Sequence, residues 1–203
     1  MKEYLITSGF LDRPRKLKLA EDYLEWEDRD LKGSEFTRLY KAEIVDFKHG
    51  RSSIVWYRFQ VGKRYSIVFK NSESRELKIV FSSFFGSRKE NEQKYADIVS
   101  DIWTLYHSKI VDEHLERYHS EGEIELQAIK VKHDGIELRG QTGFVPWEKV
   151  GVKDYSTYFS IFNKDNALIH SRVLYNEYGT ETLWSVIRAI LKSKGMGESG
   201  AGE

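Results

Sequence analysis

Apolar and polar residues alternate through one short run after another in the first part of this chain, and alternation with a period of two makes half-buried strands. The runs "SSIVWYRFQVG", "RYSIVFKNS" and "ELKIVFSSFFG" show it most clearly. In the first of them Val55, Tyr57, Phe59 and Val61 are expected to face one way, and Ile54, Trp56, Arg58 and Gln60 the other. "NSES" is a turn-prone connection between the second and third runs. Upstream, "KLKLAEDYLEWED" gives two shorter runs around Ala20, Glu21 and Asp22, and "FTRLYKAEIVDFKHG" comes next. Strands in series with short connections predict an antiparallel meander. A sheet of this kind must bury one face, and the next segment supplies the cover. From about Lys89 to His119 the apolar residues Tyr95, Ile98, Ile102, Tyr106, Ile110 and Tyr118 recur at helical steps, and Gly122 marks the stop. The first half of this helix is expected to cap the first sheet and the second half to bridge toward the C-terminal part of the chain.

Strand signals then begin again. "IELQAIKVKHDGIELRG" places His-Asp-Gly between alternating runs, which predicts a tight hairpin because Asp and Gly tolerate positive φ. "FVPWEKVGVKD", "TYFSIFNKD" and "ALIHSRVLY" continue the strands. Thr180 is placed to cap a second helix, "ETLWSVIRAILKSK", with Leu183, Trp184, Ile187, Ile190 and Leu191 on its apolar stripe. "EFTRLYKAEIVDF" echoes "GFVPWEKVGVKDY" in pattern more than in identity. The chain therefore reads as two domains of one fold, residues 1–119 and 120–194. Residues 195–203, without a core former beyond Met196, form a tail expected to be disordered.

Composition narrows the function. Forty per cent hydrophobic and 14% aromatic residues suffice for packed cores. The 32 basic and 32 acidic side chains cancel, so no broad field draws the chain to phosphates, and nucleic acid is not an expected partner. Cysteine is absent, which removes disulfides, thiolate nucleophiles and cysteine-held zinc. The opening "MKEYLITSGFLDRPRK" is too soon charged for a secretory leader, and no apolar run approaches the roughly eighteen residues of a membrane helix, so a cytoplasmic protein is expected.

Candidate chemical motifs dissolve on inspection. Gly195, Gly197 and Gly200 spell the dinucleotide spacing, yet a helix precedes them where a strand is required. His107 and His114 share a helix face but lie about 10 Å apart along the axis, so both read as solvated. The carboxylates of "DEHLE" and "SEGEIE" lie along an exposed helix end rather than in a cleft. No catalytic residue, metal or cofactor is implied. Binding is a different matter. An outward Trp56 beside Arg58 and Ile54 has the make-up of an interface anchor, and Lys63 and Arg64, read as a turn after Gly62, are placed to meet an acidic partner.

From residue 16 to residue 192 the order of strands then closing helix resembles the pleckstrin-homology-like (PH-like) plan, a half-open antiparallel barrel closed by a C-terminal helix. "FVPWEKVGV" is similar to the hook of bacterial PH-like and GRAM-like domains, with Pro146 making a bend and Trp147 filling the barrel mouth. The first half departs from it, with Leu39 and Tyr40 at the positions matched to Pro and Trp. The resemblance implies an α+β, mainly β protein of two half-open barrels, each closed by a helix, acting as a noncatalytic module for protein or peptide partners or for a second copy of itself. In relatives that bind phosphoinositides, basic residues line the loop between the first two strands. The loops matched to it here, Ala20-Glu21-Asp22 and His133-Asp134-Gly135, carry acid, which argues against membrane lipid. A small-ligand carrier or enzyme using an open barrel end, and a peripheral membrane adaptor, are the alternative readings.

Overall fold

The computed structural model describes residues 1–7, 12–28, 30, 36–84, 88–140, 143–155 and 157–196. The chain divides into two compact units, Met1–Ser108 and Lys109–Glu203. In the first, β1 (Lys2–Thr7), β2 (Pro14–Leu19), β3 (Tyr23–Glu27) and β4 (Phe36–Tyr40) pair in sequence order as an antiparallel sheet. A 3-10 turn, Lys41–Glu43, leads into a second antiparallel sheet of β5 (Ile44–Trp56), β6 (Phe59–Asn71) and β7 (Glu76–Phe84). Alternation decides what this sheet buries. Tyr65, Ile67 and Phe69 on β6 stand opposite Phe81, Ile79 and Leu77 on β7, and all six are buried. From α1 (Arg88–Ile102), Tyr95, Ile98 and Ile102 are buried too. Tyr65 is in ring contact with Phe81 at 5.0 Å and with Tyr95 at 5.1 Å. Each such side chain contributes about 1.5–3 kcal/mol by leaving water.

Helical structure continues from α1 through a π segment, Trp103–His107, into α2 (Ser108–Glu121). The π segment turns two neighbours, Tyr106 and His107, into the interior together. Tyr106 donates its hydroxyl proton at the carbonyls of Ala20 (2.7 Å) and Tyr23 (2.8 Å), clamping the β2–β3 connection. His107 is fully buried between Phe47 (4.9 Å, edge-on) and Trp103 (4.5 Å), so the expectation of a solvated helix histidine is corrected. The unit boundary falls directly after this segment, whereas the sequence placed it at 119/120. Val111 and Tyr118 on α2 belong to the core of the second unit, with Leu115 packed against it.

The second unit repeats the order. A four-stranded antiparallel meander comprises β8 (Glu123–Leu126), β9 (Ile129–Lys132), β10 (Gly135–Glu137) and β11 (Phe144–Pro146). After a 3-10 turn, Trp147–Lys149, the chain forms a three-stranded meander: β12 (Val150–Asp154), β13 (Tyr158–Asn163) and β14 (Asn166–Leu174). Then comes α3 (Thr180–Ser193). Pro146 does end a strand, and Trp147 is 2% exposed, its Nε1–H donated to the Lys132 carbonyl at 3.0 Å. The matching positions in the first unit are one residue later than the sequence suggested. Trp147 N–H bonds the Asp134 carbonyl and Lys41 N–H bonds the Asp22 carbonyl, each reaching the connection between the second and third strands of its unit. Tyr40 and Lys41, rather than Leu39 and Tyr40, therefore correspond to Pro146 and Trp147.

Local details differ from expectation for physical reasons. His133 and Asp134 form the two-residue turn as predicted, with Gly135 paired to Lys132. None of the three has positive φ. Gly135 is required by closeness: a Cβ there would lie 2.3 Å from the Phe144 ring and 2.4 Å from the Val145 carbonyl oxygen. The left-handed turn is instead Gln127-Ala128 between β8 and β9, at φ 55° and 56°. The N-cap of α3 is Gly179, at φ 78°; Thr180 is the first helical residue, and its hydroxyl bonds the Leu174 carbonyl at 2.9 Å. The acidic connections at residues 20–22 and 133–134 join second to third strands, since β1 and β8 precede them. They are not loops between first and second strands. In the predicted tail, Met196 packs against the second core, and residues 197–203 lie outside the described residues. The protein is mainly β, with four antiparallel sheets that do not join into a closed barrel among the described residues.

Candidate functional site

The two longest strands among the described residues carry a run of exposed apolar side chains at their joined end. β5 and β6 pair along their whole length, from Ile44 opposite Asn71 to Trp56 opposite Phe59. Among the described residues, β7 accompanies β6 as far as Gly62, opposite Phe84. Gly62 allows this approach, because a Cβ there would meet the Ser83 carbonyl oxygen at 2.3 Å. Beyond Gly62 the hairpin continues as two strands, with a register shift between Ile54 and Val55 that leaves Val61 without a counterpart. It closes in a two-residue turn, Tyr57-Arg58, with Tyr57 at φ 55°.

No third strand pairs with this hairpin end among the described residues, which leaves it little to pack against. Val55 is 59% exposed, Trp56 68%, Tyr57 87% and Phe59 74%. Trp56 and Tyr57 touch edge to face, with centroids 5.6 Å apart. Val55, Tyr57 and Phe59 were expected to face inward along one continuous strand; the turn at Tyr57-Arg58 interrupts that strand and leaves all three in solvent. Trp56 is outward as expected, Ile54 is half-buried, and Arg58 is exposed. Directly opposed residues share a face. Trp56 and Phe59 are such a pair, as are Ser52 and Arg64. Ser52, Ile54 and Trp56 alternate along β5, so Ile54, Trp56, Phe59 and Arg64 stand on one face. Lys63 lies on the other, toward α1, where its Nζ is 2.6 Å from Glu92 Oε1. Arg51 approaches the same carboxylate at 3.7 Å. Lys63 and Arg64 sit within a strand rather than in a turn, and the structure assigns Lys63 to holding the hairpin against the helix. Arg58 and Arg64 have no ion-pair partner among the described residues.

One sequence signal for this site went unread. From Phe47 to Ser72 there is no Asp or Glu, while Lys48, Arg51, Arg58, Lys63, Arg64 and Lys70 all fall within that interval. Balanced over the whole chain, charge in the sequence is one-sided over this interval, which begins just after Asp46 of β5.

Elsewhere, cations and carboxylates meet. In the first sheet Arg13 and Lys18 pair with Glu27 and Glu25, at 2.6 and 3.3 Å, and Arg38 also bonds Glu25. Burial pushes both carboxyls up, but the hydrogen bonds outweigh it and hold them below the ordinary range: Arg38 and Lys18 act on Glu25, and Arg13 and the Lys16 backbone on Glu27. Two concavities of about 350 and 360 Å³ occur in the first unit. The former includes Arg38, Tyr40, Asn71 and Arg75; the latter Lys2, Leu19, Lys41 and Leu105. No cluster of three or more His, Asp or Glu able to hold a metal, and no helix long and apolar enough to cross a membrane, occurs among the described residues.

The corresponding hairpin of the second unit, β12–β13, is shorter and more self-contained. Tyr155 and Tyr158 stack at 4.5 Å, with the Lys153 and Arg172 cations each 5.5 Å from one ring. Aromatics and cations satisfy one another there. On the first unit they are left to solvent. In comparisons with known proteins, no family model and no curated sequence matches this chain.

Proposed function

We propose that the chain is a noncatalytic binding module of two PH-like domains, and that it engages a protein or peptide partner through the free end of the β5–β6 hairpin. Support for the PH-like reading is the order common to both units: four-stranded meander, 3-10 turn, three-stranded meander, helix. In this reading the two sheets of each unit form a half-open barrel under its helix. The observation that carries the binding reading is the exposure of Val55, Trp56, Tyr57 and Phe59 around Arg58. Trp, Tyr and Arg are the residues most enriched among binding hot spots, and contiguous exposed apolar groups cost a soluble protein solubility unless a partner covers them.

The test is affinity capture from the native cell with mass spectrometry. Three baits are compared: the unaltered chain, Trp56→Ala with Arg58→Ala, and Leu168→Ala, an 82%-exposed apolar residue on the other unit. Partners should be held by the first and third baits and lost by the second. Equal capture by all three would dismiss the hairpin end as the contact.

A further inference from the structure

We infer that the surface recognised by the hairpin end is an acidic protein surface: an apolar recess for Trp56 and Phe59, bordered by carboxylates that meet Arg58 and Arg64. This rests on the binding reading above and names the chemistry of the partner. Three observations converge on it. From Phe47 to Ser72, the interval that includes the free end of the hairpin, the sequence has no acid; Asp46 lies near the base of β5. Arg58 and Arg64 have no carboxylate among the described residues, in a unit where Arg13, Arg15, Lys18, Arg38 and Lys63 all do. Arg64 also stands on the same face as the Trp56–Phe59 pair, about 13 Å back along the strands. An apolar anchor with cations in the turn and behind it is a template for a recess with acid at its near and far rims.

The same features disfavour other occupants. A second copy docked tip to tip would bring Arg58 and Arg64 of one hairpin end against those of the other, and like charges repel. A lipid surface entered end-on would receive Arg58 first, because it shares the turn with Tyr57, and an unpaired guanidinium is expensive to carry into an apolar phase. A fixed carboxylate on a folded partner or peptide meets that guanidinium directly, with charge-assisted hydrogen bonds. Complementary charge of this kind also steers encounter, so association should slow as salt rises.

The probe is a displayed library of random twelve-residue peptides, panned against the immobilised full chain. The unaltered chain should enrich peptides in which an apolar residue is flanked by Asp or Glu, and Trp56→Ala should enrich none of them. The double charge reversal Arg58→Glu with Arg64→Glu should lose the acidic peptides and select basic ones. For a synthesised acidic winner, Arg64→Glu alone should weaken binding by about tenfold, through a slower on-rate. Thermal melting checks that each variant keeps the fold. Peptides that depend on Trp56 but carry no acid would overturn the acidic-partner inference and leave the hairpin end standing as a binding element. A library returning nothing dependent on Trp56 would overturn both. Sedimentation with phosphatidylserine-containing vesicles, lost in Trp56→Ala, would overturn the inference in favour of a lipid surface.

Discussion

Glu25 is buried at 8% exposure on a strand between two cations, Arg38 and Lys18, and its charge is held in place by them. Unfolded, its carboxyl titrates near the ordinary value of about 4.3. Folded, it titrates lower, so its stabilisation is complete above the ordinary value and disappears as the pH falls through the folded one. Urea midpoints measured from about pH 5 to pH 2 should therefore fall more steeply for the unaltered chain than for Glu25→Gln. Equal slopes would deny Glu25 that role. Gly135 makes a steric demand instead. Gly135→Ala forces the Phe144 ring and the Val145 backbone apart and should cost about 1–3 kcal/mol, read from a denaturant midpoint. The glycine was legible in the sequence while its reason was not. "HDG" signals a turn through φ tolerance, but the closeness of β11 depends on residues farther along the chain.

Among elements, the helices and strands announced themselves by period, and the turns did so only where they used turn residues. Nothing in "IVWYRF" or "LQAI" is Gly, Pro, Asn or Asp, yet chain reversals occur at Tyr57-Arg58 and Gln127-Ala128. Alternation carried straight through the first of them, which is why Val55, Tyr57 and Phe59 were expected inside. Lys63 and Arg64 were read as a turn because Gly62 precedes them; the glycine serves instead the approach of β7. The helix between the sheets was legible in length but not in its π segment, because an extra residue in a turn leaves no mark on composition. Its consequence is testable through Tyr106. Tyr106→Phe leaves the carbonyls of Ala20 and Tyr23 without their hydroxyl donor beside a buried ring, and should cost about 1–3 kcal/mol. A loss below about 0.5 kcal/mol would mean the β2–β3 connection does not depend on this clamp.

At the scale of the whole molecule, the repeat of strands then helix was legible because the period switches twice. The division between units was less so, since the helical run carries no Pro or Gly between Lys89 and His119 to mark a break. Burial of Val111 and Tyr118 with Ile124, Trp147 and Ile187 is the feature that assigns α2 to the second unit. Each unit has its own core, and local damage should stay local. Ile67→Ala and Ile161→Ala, both at positions with 0% exposure, should each cost about 2–5 kcal/mol. Hydrogen exchange tracked peptide by peptide should show faster exchange in residues 1–108 for the first and 109–196 for the second. Acceleration throughout the chain by either variant would show a single cooperative unit. The candidate site was half legible: Trp56 and Arg58 stood out in composition on one expected strand face, while the run without acid from Phe47 to Ser72 emerges only when charges are counted by interval rather than by chain.

Tyr57 holds a backbone conformation that bulky residues rarely adopt, and at 87% exposure its ring gives the fold almost nothing in return. A glycine would occupy the turn with less strain. Keeping tyrosine there is a choice against stability, of the sort found where natural selection acts on what a surface does rather than on how firmly it is held. Tyr57→Gly should then separate the two properties: a melting temperature equal to or above that of the unaltered chain, together with weaker capture of its partner. A directed search for more stable variants of this protein would be drawn to that position early and, under the binding role proposed for the hairpin end, would weaken the contact by improving the fold.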